Sequence, residues 1–131
     1  MDKNKLIVKL IVKKIFDRVI NGKRLVIKWH SFPDALTADW YCGYLGVNPK
    51  SSVANLCEED LDYNYIFPSA IGGVTWHGNC PGEQPDGRFY IGFDTAHYWT
   101  KNATSVEVQY HLMDMAKEFE AYEHKANKED Y

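Results

Sequence analysis

Apolar residues recur at positions 7, 8, 11, 12, 15, 16, 19 and 20, the three- and four-residue spacing of an amphipathic helix. Read this way, residues 4–20 form a helix capped by Gly22, and residues 24–29 follow as a strand. The same stretch is rich in β-branched residues and ends in Asn21-Gly22, a strong two-residue hairpin signal. A strand pair, 13–20 with 23–29, is therefore the competing expectation.

Downstream the pattern changes. Residues 40–47 read as a strand stopped by Asn48-Pro49. Two glycine-punctuated apolar runs, 71–78 and 88–97, read as two more, and the Pro/Gly-rich loop between them predicts antiparallel pairing. Residues 50–69 show no clear period, and a connection of that length is often functional. Thr104-Ser105-Val106-Glu107 fits a capping box, after which Val108, Leu112, Met115, Phe119 and Tyr122 fall on one helical face. The expected fold class is α+β: a mostly antiparallel sheet of four to five strands, a long C-terminal helix and an N-terminal helix. One domain covers 1–131, with a basic segment over 1–30, a motif-bearing core over 40–122 and a frayed tail over 125–131.

Charge adds an asymmetry. Residues 1–30 carry nine Lys/Arg against two Asp/Glu, whereas the rest of the chain carries six against sixteen. Such a split fits contact with an anionic partner, self-association of basic arm with acidic body, or a solvated face. No extended basic and aromatic groove speaks for duplex nucleic acid. Residues 6–20 are interrupted by Lys9, Lys13, Lys14, Asp17 and Arg18, so they cannot span a membrane. Cys42, Cys57 and Cys80 are odd in number and lack a Cys-x-x-Cys pair, which argues against a zinc ribbon or a disulfide framework. A cytoplasmic location and no cofactor are expected.

Candidate chemistry gathers where the last strand gives way to a loop. Asp94 and His97 are three residues apart, and His77 could join them from the paired strand. Three such groups could ligate a divalent metal, or a carboxylate could orient an imidazole as general base. Equally, Asp94 could cap a turn with His97 packed beside it. The spacing is no recognised metal signature, so no metal is expected. Strand alternation separates Phe89, Ile91 and Phe93 from Tyr90 and Gly92, and Gly92 leaves a gap that a flat ring could fill. Trp76, Tyr90 and Trp99 are candidate stacking groups, Asp94, His77 and His97 candidate hydrogen-bonding groups, and Arg88 and Lys101 candidate phosphate ligands.

Three motifs carry a resemblance: Gly43-Tyr44-Leu45-Gly46-Val47-Asn48-Pro49, Gly72-Gly73-Val74-Thr75-Trp76, and Ile91-Gly92-Phe93-Asp94-Thr95-Ala96-His97. In this order, with a closing helix, they resemble a group of small phage-encoded proteins. That group shares a Gly-Tyr-Val-x-Val-Pro strand, a His-Gly-Gly-Ile/Leu-Thr-Tyr strand and a Gly-Phe-Asp-Cys/Thr-Ala-His motif. The resemblance covers residues 40–120 and departs from the group at Ile71, where a His is common. It implies phage origin, hence an infected bacterial cytoplasm and an accessory, anti-defence role. The expected function is to bind and sequester a nucleotide-derived immune signal, such as a cyclic nucleotide, without turnover. The alternatives are a small phosphodiesterase or nucleotide hydrolase using His97, Asp94 and His77, and a protein–protein inhibitor presenting the acidic residues Glu58, Glu59, Asp60 and Asp62. Homo-oligomerisation is a further expectation.

Overall fold

The computed structural model describes residues 10–32, 39–56, 60–97, 100 and 102–129. Five antiparallel strands form one sheet: β1 (Ile11–Ile20), β2 (Lys23–Ser31), β3 (Asp39–Val47), β4 (Trp76–Gly78) and β5 (Phe89–Asp94), in the order β1-β2-β3-β5-β4. A short 3-10 turn (Val53–Asn55) and helix α1 (Asp60–Ile66) connect β3 to β4, and helix α2 (Ser105–Glu129) follows β5. The chain is α+β, with the long C-terminal helix expected from its pattern.

The N-terminal helix is not formed over the described residues. Ile11–Ile20 is a strand, paired with β2 through a two-residue turn in which Asn21 has φ 50° and Gly22 φ 77°. Positive φ at both positions is the type I′ geometry that matches strand twist. The helical spacing is imitated by a β-bulge: the register shifts between Lys14 and Phe16, so the apolar positions change face at Ile15. Tertiary pairing thus overrides a local period. Three further boundaries differ. In the 71–78 run only Trp76–Gly78 pairs, because Gly72 and Gly73 turn the chain at φ 72° and 92°. These two glycines therefore serve a turn. The 88–97 run pairs only over Phe89–Asp94, and the expected frayed tail is helical as far as Glu129.

One sheet face holds the core. Leu25, Ile27, Leu45, Val47, Ile91 and Phe93 meet Val108, Leu112, Met115 and Ala116 of α2, all buried. Three glutamates of α2 then fasten it to distant backbone. Glu118 accepts from the Ser69 amide at 3.2 Å and hydroxyl at 2.9 Å, Glu123 from the amides of Ser52 at 3.2 Å and Val53 at 3.0 Å, and Glu120 pairs with Lys23. The helix start carries the expected cap: the Glu107 amide donates to Thr104 Oγ1 at 3.2 Å, and Thr104 Oγ1 lies 3.2 Å from Glu107 Oε1. Thr104→Ala should therefore cost about 1 kcal/mol, read as a lower urea midpoint with unchanged slope.

Candidate functional site

Helix α2 leaves the other sheet face free, and strand alternation decides what stands there. Direct cross-strand partners share a face. Arg24 opposes Gly46, Lys28 opposes Cys42, His30 opposes Trp40, and from β5 Tyr90, Gly92 and Asp94 oppose Gly46, Tyr44 and Cys42. Trp76 of β4 opposes Gly92 and adds the last ring.

Glycines seat those rings. A Cβ at Gly92 would lie 2.8 Å from Tyr44 Cδ1, and one at Gly46 2.5 Å from Tyr90 Cε2. The gap that Gly92 opens is thus filled by the protein's own Tyr44, against which Trp76 packs edge-on at 5.6 Å. Trp40 stacks on His30 at 5.3 Å, so His30 of β2, Trp40 and Tyr44 of β3 and Trp76 of β4 form a band of rings drawn from three strands. Trp76 keeps 36% of its surface exposed.

Asp94 stands within this band. Its Oδ2 accepts from the Thr75 hydroxyl at 2.9 Å, and its Oδ1 accepts from the Ala96 amide at 3.0 Å and lies 3.5 Å from His97 Nε2. The carboxylate therefore caps the turn that follows β5. His97 packs on Gly72, where a Cβ would lie 2.6 Å from the His97 ring, so this glycine is required by both its φ of 72° and its contact. Thr100 closes the turn, its hydroxyl donating to the Thr95 carbonyl at 3.0 Å. An open groove of about 590 Å³ shares Gly72 and Thr100 with this corner, and Glu107 and His111 line its far side.

The structure separates some candidate residues. His77 points to the opposite face from Trp76 and lies between Tyr63 and Phe89, at 5.2 and 6.1 Å, so it does not join Asp94 and His97. Tyr90 is fully buried and cannot offer its ring to a ligand. Residues 79–87 fold back over it, and its hydroxyl donates to Asp86 at 2.5 Å and accepts from Arg24 at 3.1 Å. Arg88 is held by Asp86 at 3.3 Å. Trp99, Lys101, Glu58 and Glu59 lie outside the described residues, as does the Asp60 side chain. Among the described residues no group of three His, Cys, Asp or Glu could hold a metal ion.

Sequence reading missed Arg24, which gathers the polar contacts at one end of this face. It donates to Asp17 at 2.9 and 2.7 Å, to Glu83 at 3.1 Å, to Asp86 at 3.2 Å, to Tyr90, and to Cys80 Sγ at 3.3 Å. Beside it the Lys28 ammonium donates to the Pro81 carbonyl at 2.5 Å, and Lys14 reaches Glu83 at 3.2 Å. Much of the basic-arm and acidic-body complementarity is therefore spent within one chain. The alternation of Arg24, Val26, Lys28 and His30 against Leu25, Ile27 and Trp29 was the available signal.

Burial sets the protonation states along the band. It pushes the Cys42 thiol up to about 11, so the sulfur is protonated at neutral pH and a poor nucleophile. Burial likewise raises the Tyr44 hydroxyl and lowers His30, which keeps the imidazole neutral at pH 7. The band of His30, Trp40, Tyr44 and Trp76 thus presents neutral rings beside the Asp94 carboxylate. Among the described residues no helix is long and apolar enough to cross a membrane. No protein-family model, curated protein or solved structure matches this chain.

Proposed function

We propose that this protein captures a planar, nucleotide-derived ligand on the helix-free face and holds it without turnover. The observation that carries this reading is the aromatic band Trp40, Tyr44 and Trp76 around Asp94, with Trp76 exposed to solvent. Such rings bind a base by stacking, and a carboxylate accepts from its amino group or from a ribose hydroxyl. Arg88 would meet phosphate, exchanging Asp86 for the ligand. Capture is favoured over catalysis because Asp94 already accepts from Thr75 and Ala96, and because the Cys42 thiol is protonated. The phage-type, anti-defence role in a bacterial cytoplasm rests on the ordered motifs described above and is proposed with it.

Calorimetric titration against cyclic dinucleotides and cyclic ADP-ribose-derived signals tests this, with chromatography of whatever is bound. Tight binding with the ligand recovered intact is expected. Trp76→Ala should weaken it roughly 10- to 100-fold, the loss of one stacking ring, with the melting temperature little changed. A second reading, a nucleotide hydrolase with His97 as base oriented by Asp94, draws on their 3.5 Å contact. A chemically altered ligand would establish it. Failure to bind any member of the panel would sink both.

A further inference from the structure

Strand β1 is an edge of the sheet, and among the described residues nothing pairs with its outer side. Helix α2 packs mainly over β3 and β2, and of β1 only Phe16 and Ile20 pack against the core. Val12, Ile15 and Val19, with Leu10 just before the strand, expose 47, 45, 58 and 43% of their surface. A ten-residue edge with that much apolar surface is a template for another strand.

The chemistry of β1 points to which strand. Read outward from the centre between Ile15 and Phe16, Ile-Val-Lys-Lys-Ile and Phe-Asp-Arg-Val-Ile are near mirror images. Two copies pairing antiparallel about that centre would set Ile11 against Ile20, Val12 against Val19, and Ile15 against Phe16. Lys14 would meet Asp17, its opposite charge, twice per pair. Lys13 and Arg18 are the like-charged exception, and each already lies over a ring of its own chain, Trp29 at 5.8 Å and Phe16 at 5.5 Å.

The bulge supports the same register. In a regular strand, residues 12 and 19 point to opposite faces and could not oppose each other across a two-fold axis normal to the sheet. The register shift at Ile15 reverses the alternation. Val12, Lys14, Asp17 and Val19 then share the helix-free face, opposite His30, Lys28, Val26 and Arg24, while Ile11, Lys13, Arg18 and Ile20 share the other. Each set maps onto itself about the bulge. We infer that β1 is a homodimer interface, joining two copies through antiparallel β1–β1 pairing into one ten-stranded sheet.

The test uses Val12 and Val19, both exposed and outside the core and the aromatic band. Sedimentation equilibrium of the full chain should show a dimer. Val12→Glu alone and Val19→Lys alone should each raise the dissociation constant at least about tenfold, because a charge is set against an apolar partner twice per dimer. Combining V12E with V19K should restore dimerisation, since the register places Glu against Lys. Circular dichroism of each variant confirms the fold. A monomeric wild type, undiminished association in the single variants, or no rescue in the double variant would each overturn the proposal.

Discussion

Gly46→Ala should unfold this protein or cost about 3 kcal/mol, the upper end of overpacking penalties, seen as a large drop in the urea midpoint. The reason is steric. The new Cβ would lie 2.5 Å from Cε2 and 2.7 Å from Cζ of Tyr90, directly across the β3–β5 ladder. Tyr90 cannot retreat, because its ring is fully buried and its hydroxyl is held by both Asp86 and Arg24. Gly43→Ala should be nearly as damaging, with Phe93 Cζ at 2.5 Å and the Phe93 ring buried in the core. Gly92→Ala should be milder: the nearest atom, Tyr44 Cδ1, is 2.8 Å away on a ring that is only partly enclosed. A smaller side chain at the facing position, as in G43A/F93L, should recover part of the loss. If Gly92→Ala proved the most damaging of the three, the account of glycine-seated rings would be wrong.

Arg24→Met should cost about 2 kcal/mol at pH 7 and flatten the acid limb of the stability curve. Removing one partner from a buried charge cluster typically costs about 3–5 kcal/mol. The smaller figure applies because the Asp17, Glu83 and Asp86 side chains keep 30, 30 and 25% exposure, where solvent screens them. The hydrogen bonds from Arg24 hold the Asp17 carboxyl well below its ordinary value. Those from Lys14 and then Arg24 lower Glu83. Burial works against Asp86, but the hydrogen bonds from Tyr90, Arg88 and Arg24 outweigh it. All three folded-state values are depressed, so their stabilisation is present above the unfolded values of 3.8 and 4.5 and is lost as pH falls below them. Wild-type melting temperature should therefore fall below about pH 4–5, and Arg24→Met should show a shallower fall. Arg24→Lys should recover only part of the loss, since an ammonium cannot make the two-pronged contact to Asp17. An acid limb unchanged in Arg24→Met would refute the assignment.

How much of this was legible beforehand depends on the range of each signal. The capping residues Thr104 and Glu107 touch each other across three positions, and the stripe from Val108 to Met115 needs only a helical period to be recognised. Asp94 as a turn cap was among the sequence expectations, because Asp94 and Ala96 are also neighbours in the chain. By contrast, Arg24 reaches Asp86 across 62 positions and Tyr90 across 66. No local pattern marks such a partner. Tyr90 illustrates the consequence: as a residue beside a glycine in an alternating strand it reads as a stacking platform, yet residues 79–87 fold over it and make it core. His77 fails similarly, since one step along a short strand moved it to the other face.

By itself the sequence determined the fold class, the strands β3 and β5, the antiparallel pairing of β4 with β5, the long C-terminal helix with its cap, and the strand-to-loop corner at Asp94 and His97. Each is written in spacing, turn residues or caps that act over a few positions. Only the tertiary structure decided that residues 11–20 are a strand, that Arg24 gathers the polar contacts of the open sheet face, and that Tyr44 rather than Tyr90 joins Trp76 on it. The reason is energetic. A bulged strand and an amphipathic helix share one apolar pattern over ten residues, and only pairing with β2, supported by contacts from residues 79–87, chooses between them.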